Sequence, residues 1–240
     1  MSDLTDIRVL NSLFAQGTKP LDAPALVSEL GGSYAAELGI HLGGLETTEV
    51  YKWFLAAMLY GARISENIAN RTWQVFRRND VLTPECMINT DWDRLVALLD
   101  QGGYVRYDYK TATKLQTVSH ALLDHYAGDL NRLHAVALNS SDLERRIMSL
   151  GKGIGKVTTQ IFLRELRGRW SKAAPPLSLL AFNAAQALGF LPEGINGNNK
   201  QSSLISLQQL WYKQGMTIDS FPDFEAALVR YGLHLRHCKI

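Results

Sequence analysis

The 240 residues carry 25 Lys and Arg against 23 Asp and Glu, a formal charge of +2, and 46% of them are hydrophobic. That length and apolar content suffice for one large or two small domains with a core of ordinary size, and so mild a charge does not by itself point to a polyanionic partner, because what counts is where charge lies. Two cysteines, Cys86 and Cys238, stand in no CxxC or Cys/His cluster, which excludes a disulfide framework and a closed zinc site and fits a reducing compartment. The acidic start "MSDLTDIRVLNSLF" has no long apolar core, and no run approaches 18 apolar residues. No signal peptide or membrane span is expected, and the reading is a soluble, intracellular chain, cytoplasmic or nucleoid-associated.

Apolar spacing is helical nearly everywhere, strand signals are weak, and the expected fold class is all-α. Residues 49–78, "EVYKWFLAAMLYGARISENIANRTWQVFRR", place Val50, Trp53, Phe54, Ala57, Met58 and then Ile64, Ile68 and Val75 at three-and-four spacing, which predicts two helices with a bend near Gly61. "NTDWDRLVALLDQGG" predicts a helix capped by Asn89 or Thr90 and stopped at Gly102 and Gly103. Ala112, Leu115, Val118 and Leu122 mark another that ends at Gly128, and one more spans about 141–150. Pro175 and Pro176 announce a helix through "LSLLAFNAAQALGF". The polar stretch "PEGINGNNKQSS" reads as a linker, and two helices, near 202–214 and 222–236, follow it.

Charge is concentrated locally. Residues 141–172 hold eight cations (Arg145, Arg146, Lys152, Lys156, Arg164, Arg167, Arg169, Lys172) against Asp142, Glu144 and Glu165, a balance of +5. At their centre lies "LGKGIGKVTTQIF", residues 150–162. A Walker A loop needs four residues between its first glycine and GK, then Ser or Thr; Gly151 to Gly155 leaves three, and Val157 follows the lysine. A dinucleotide fingerprint needs a preceding strand, and "SDLERRIMSL" is helical. What survives is helix, tight glycine turn, helix. Gly153 and Gly155 let the turn press close and aim amides outward, with Ile154 between them, at a helix N-terminus suited to phosphate. Lys152 and Lys156 add charge there, and the hydroxyls of Thr158 and Thr159 can cap the second helix or reach an oxygen. A plain αα-hairpin whose glycines only stop one helix is the other reading of the same residues.

"LGKGIGKVTTQIFL" resembles the helix-hairpin-helix signature of the HhH-GPD DNA glycosylase superfamily, the endonuclease III-like proteins, whose pattern is roughly L-P-G-V-G-x-x-T-A followed by apolar residues. Gly153, Ile154, Gly155, Thr158 and Thr159 fall on it, with Lys152 in place of the usual proline. "FLAAMLYGARISENIANRTWQVF" is similar to that family's early apolar helix, short turn and following helix. Gly103, Tyr104, Lys110 and Leu115 resemble its glycine-aromatic turn and K-x-x-x-L helix, with one residue more between Lys110 and Leu115 than that pattern has, and the resemblance covers roughly residues 46–190. It implies a six-helix barrel-like domain over 46–168, ending in the hairpin, and a second helical domain from 1–45 plus 169–240. Double-stranded DNA is the partner it implies, lying across the cleft, with the phosphate backbone on the hairpin amides and the target base turned out of the stack. Arg63, where relatives often carry Gln, would fill the vacated space; the alternative is an ordinary surface arginine.

The chemistry that this family implies is missing from its usual places. A lyase lysine would fall at Val157, and the aspartate that stabilises positive charge on the sugar would fall, aligned from Leu188 and Gly189, at Ser178. No Asp occurs between residues 143 and 218, where Glu144, Glu165 and Glu193 are the only acids. Glu193, Asp219 and Asp223 are the carboxylates that a second domain would offer. The iron-sulfur cluster of many relatives needs four cysteines, and Cys238 is alone, with His234 and His237 reading as a polar helix end. No cofactor or metal is expected. The sequence thus reads as a protein that binds damaged or modified DNA, with standard glycosylase and lyase chemistry impaired or absent. The alternatives are a monofunctional glycosylase with a non-standard carboxylate, and a helical interaction protein without DNA binding.

Overall fold

A computed structural model describes residues 22–192, 194 and 200–237, and all regular structure among them is helical. In chain order the helices are α1 (Ala23–Leu30), α2 (Tyr34–Glu37), α3 (Thr47–Tyr60), α4 (Glu66–Arg78), α5 (Pro84–Asn89), α6 (Trp92–Gly102), α7 (Asp108–Tyr126), α8 (Leu130–Val136), α9 (Ser140–Ser149), α10 (Lys156–Glu165), α11 (Leu179–Ala187), α12 (Lys200–Lys213) and α13 (Phe221–His237). A single 3-10 turn, Ile218–Ser220, precedes α13. The chain divides into a central unit, Tyr34–Pro175, and a terminal unit made of the residues up to Ser33 and from Pro176 onward.

The central unit is organised around α3. Val50, Tyr51 and every residue from Trp53 to Leu59 are buried, so this helix is apolar on all sides and must be enclosed by others. Helices α4, α8 and α10 pack on it. Trp53 donates its indole N–H to Phe162 O at 3.0 Å, the rings of Phe54 and Phe162 lie 4.9 Å apart, and Trp170 meets Phe162 edge-on at 5.6 Å. The hydroxyls of Tyr51 and Ser119 on α7 share a hydrogen bond of 2.8 Å. This unit reaches past 46–168 at both ends: Trp73 donates to Leu38 O, and Trp170 donates to Asn131 Oδ1. Residues 34–45 and 169–175 pack there because they carry Tyr34, Leu38, Ile40, Leu42 and Trp170, all buried.

Several helix starts differ from the expected ones. Helix α6 is capped by Asp91, whose carboxylate accepts from the amides of Asp93 and Arg94, while Thr90 ends the short helix α5. Asp outcompetes its neighbours there because its oxygens reach two free amides at once. Helix α11 begins after Ser178, which accepts from Ala181 N, so Pro175 and Pro176 precede the helix instead of forming its first turn. Most of "PEGINGNN" lies outside the described residues, and Lys200–Ser203, expected in the linker, already belong to α12.

In the terminal unit α13 packs on α1, α11 and α12. Trp211 of α12 stacks on Phe224 of α13 with ring centroids 5.1 Å apart, and Phe190 meets the same ring edge-on. Arg230 donates to the carbonyls of Gly31 and Gly32, and Asp223 accepts from Ser33 N, which fastens the end of α1 to α13. Helices α11 and α13 touch backbone to side: a Cβ at Gly232 would stand 2.3 Å from Leu180 O. A carbonyl in a helix has nowhere to retreat, so Gly232→Ala is expected to destabilise the protein by about 1–3 kcal/mol, measured as a lower midpoint in urea unfolding.

Candidate nucleic-acid interface

The hairpin is helix α9, a turn over 150–155, and α10. Asn139 caps α9 by accepting from Asp142 N at 2.9 Å, and Asp142 in return accepts from Leu138 N, a reciprocal arrangement that fixes how the chain enters the helix. Arg145 and Arg146 both bind the Asp142 carboxylate, and the hydrogen bond from Arg146 leads the causes that hold Asp142 down at about 2.

The turn closes through Ile154 N donating to Gly151 O at 3.2 Å. Gly153, third in that turn, has φ +94°, a value that side chains with a Cβ rarely adopt. Gly151 serves differently: a Cβ there would sit 2.8 Å from Val118 Cγ2 of α7, so the turn rests directly on that helix. Ile154 is buried beneath the turn as its anchor. Gly155 is the N-cap of α10, with extended backbone, φ −108° and ψ −178°, and open space where a Cβ would be. Helix α10 has no side-chain cap and no acid in its first turn. Its first amides are therefore available to an external acceptor.

Lys152, Gly153, Gly155, Lys156 and Arg63 are exposed, as the expected contact residues must be. Thr158 and Thr159 are not: they are 3% and 1% exposed. Their hydroxyls neither cap α10 nor face outward, because the first turn of the helix rolls them into the unit. Thr158 faces Gly61, where a Cβ would lie 2.1 Å from its Oγ1, and Thr159 Oγ1 is buried without a hydrogen-bond partner. The approach of Gly61 to Thr158 brings the turn that carries Arg63 beside the start of α10. Val157 is 60% exposed at the same helix end.

The positive charge of 141–172 is narrower than its sum. Arg145 and Arg146 are spent on Asp142. Arg164 is buried over the ring of Tyr34, Arg167 donates to Pro175 O, Arg169 to Glu165 O, and Lys172 to the carbonyls of His134 and Ala135. Lys152 and Lys156 are the two that stand exposed without a hydrogen bond or ion pair among the described residues.

The acids of this region and of the terminal unit stand as follows. Glu165 is buried and accepts from Tyr34 N, Asp223 accepts from Ser33 N, Asp219 lies in the 3-10 turn, and Glu144 is on α9. Glu193, the side chain of His237 and Cys238 lie outside the described residues. Ser178 is the N-cap of α11, its hydroxyl accepting from Ala181 N. Among the described residues no three His, Cys, Asp or Glu come close enough to hold a metal ion, and no helix is long and apolar enough to cross a membrane.

One residue at this site was not singled out from the sequence. Lys114 of α7 donates from Nζ to Met58 O at the C-terminal end of α3, at 3.2 Å, and its stem passes beneath Gly153, with Cδ 3.3 Å from where a Cβ would be. Burial holds this amine down at about 8. Next to it Tyr104 donates to Leu59 O, and burial pushes that phenol up to about 12. Lys114 sits four residues before Val118 and beside Leu115, on the flank of the apolar stripe of α7, where a lysine ordinarily lays its stem on the stripe and keeps its ammonium in water, so the sequence carried no signal for it. Compared with family models, curated proteins and solved structures, the chain matches none.

Because Lys114 binds its proton less tightly in the fold than its ordinary value of 10.5, the unfolded chain holds more protons between about pH 8 and 10.5, and stability rises with pH across that window. The stability of the wild type relative to Lys114→Met is expected to be lowest below pH 8 and to climb towards pH 10.5. Urea unfolding of both proteins at several pH values measures this; a constant difference would contradict a buried, proton-averse amine.

Proposed function

We propose that this chain is a DNA-binding protein of the helix-hairpin-helix glycosylase type, gripping the phosphate backbone of duplex DNA with the 150–156 turn. The observation that carries the reading is the start of α10: no cap, no acid in the first turn, and exposed Lys152 and Lys156 on either side of an open glycine. Amides at a helix N-terminus together with two unpaired cations suit a phosphate oxygen, and such contacts hold DNA without reading its sequence. Arg63, exposed on the adjoining turn, is the residue that this reading assigns to the space left in the duplex.

The partner in this reading is damaged or modified double-stranded DNA, and the standard chemistry is absent. Val157 offers no amine, and Ser178 is occupied as a cap. A helical interaction protein without DNA binding leaves this observation unused, since two cations and the positive end of a helix stand together with no acid in its first turn to meet them.

Lys152→Ala combined with Lys156→Ala is expected to weaken duplex binding and to make its salt dependence shallower by roughly 2 in the slope of log affinity against log salt; an unchanged slope overturns the hairpin grip. Duplexes bearing a panel of base lesions, incubated with the protein and then heated in alkali, are expected to remain intact. Breakage at a lesion would show that a glycosylase remains, with a carboxylate in an unusual place.

A further inference from the structure

Lys114, a part-buried cation, touches the hairpin turn from its inner side, and neither the grip nor the missing chemistry uses it. Its ammonium donates to Met58 O, so it caps the carbonyl end of α3, while its stem lies against Gly153 on the inner side of the turn. Gly153 is exposed on its other side. An anion seated on the outer side of the turn would therefore lie across one backbone segment from the Lys114 stem.

We propose that Lys114 is a positioning residue of the phosphate grip, which binds polyanion in its protonated form and takes up a proton at Lys114 as DNA is seated. The inference rests on the hairpin reading above. Its basis is the placement: a cation fixed between the end of α3 and the glycine turn, with its ammonium on Met58 O and its stem against the inner side of a turn whose outer side an anion is expected to cover. Without the anion, burial favours the neutral amine, and nothing charged offsets this. The titratable groups at the adjoining ends of the packed elements are Tyr60 on α3, Tyr104 on the loop between α6 and α7, Lys110 on α7, and Lys152 and Lys156 on the turn and α10. Burial is the cause of the shift. A phosphate charge about 10 Å away, at an effective dielectric of about 20, raises an amine by roughly one pKa unit. With a free value near 8, that coupling gives an uptake of about half a proton near pH 8.5 and roughly a tenfold fall in affinity from pH 7 to pH 10.

The test is calorimetric titration of the full chain with a short DNA duplex at about pH 8.5 in two buffers of different ionisation heat, which counts protons taken up on binding. Wild type is expected to take up about half a proton, and Lys114→Met to bind with none of that uptake and a flatter pH profile. Lys114→Arg, a cation that does not titrate here, is expected to bind at pH 10 as well as at pH 7; a thermal melt of each variant confirms that it folds. Equal uptake by wild type and Lys114→Met, with both binding, overturns the role of Lys114 and leaves the hairpin grip standing. Failure of the wild type to bind the duplex at low salt overturns the grip, and this inference with it.

Discussion

The central unit depends on the burial of α3 from every side. A helix of that kind leaves its neighbours no choice but to surround it, and the cost of doing so falls on its last turn, where carbonyls lack partners within the helix. Here those carbonyls are met from outside: Met58 O by Lys114 and Leu59 O by Tyr104. Gly61 then lets α10 approach closely enough for Thr158 to fill the space a side chain would need. The hairpin turn is thus set by its contact with the end of a buried helix, and its exposed face is a by-product of how well its inner face is packed.

The same division explains the cations. Most of the basic residues between 141 and 172 are internal fasteners: they close a capping box, stack on a tyrosine or tie down carbonyls of neighbouring segments. An arginine that donates to carbonyls holds loops together without contributing a binding face. What remains exposed without a partner is a pair of lysines at one helix start, a small and well-defined charge.

Much of this was legible in the sequence, for identifiable reasons. Helices α3, α4, α6, α7, α9, α12 and α13 announce themselves by apolar spacing and by stops such as Gly103 and Gly128, since a helix apolar on one face or all faces repeats visibly. The short helices α2, α5 and α8 do not, because fewer than two or three turns give no period to read. The glycine turn was legible as a turn, while the fate of Thr158 and Thr159 was not: which side of α10 faces inward is decided by Gly61, about a hundred residues earlier. Lys114 was missed for a related reason. A lysine near an apolar stripe looks like a solvated flank until the helix packed over it is known.

Gly155 draws opposing requirements together. Its backbone is extended and its Cβ direction is empty, so the fold does not require glycine there. A serine or aspartate would satisfy the amides of α10 with its own oxygen, and an alanine would leave them open at a cost of about 1 kcal/mol. Glycine leaves them open for only roughly a few tenths of a kcal/mol relative to the best caps. It is the residue that keeps a helix end unsatisfied most cheaply, which makes vacancy at this position something the chain can sustain without weakening the helix behind it.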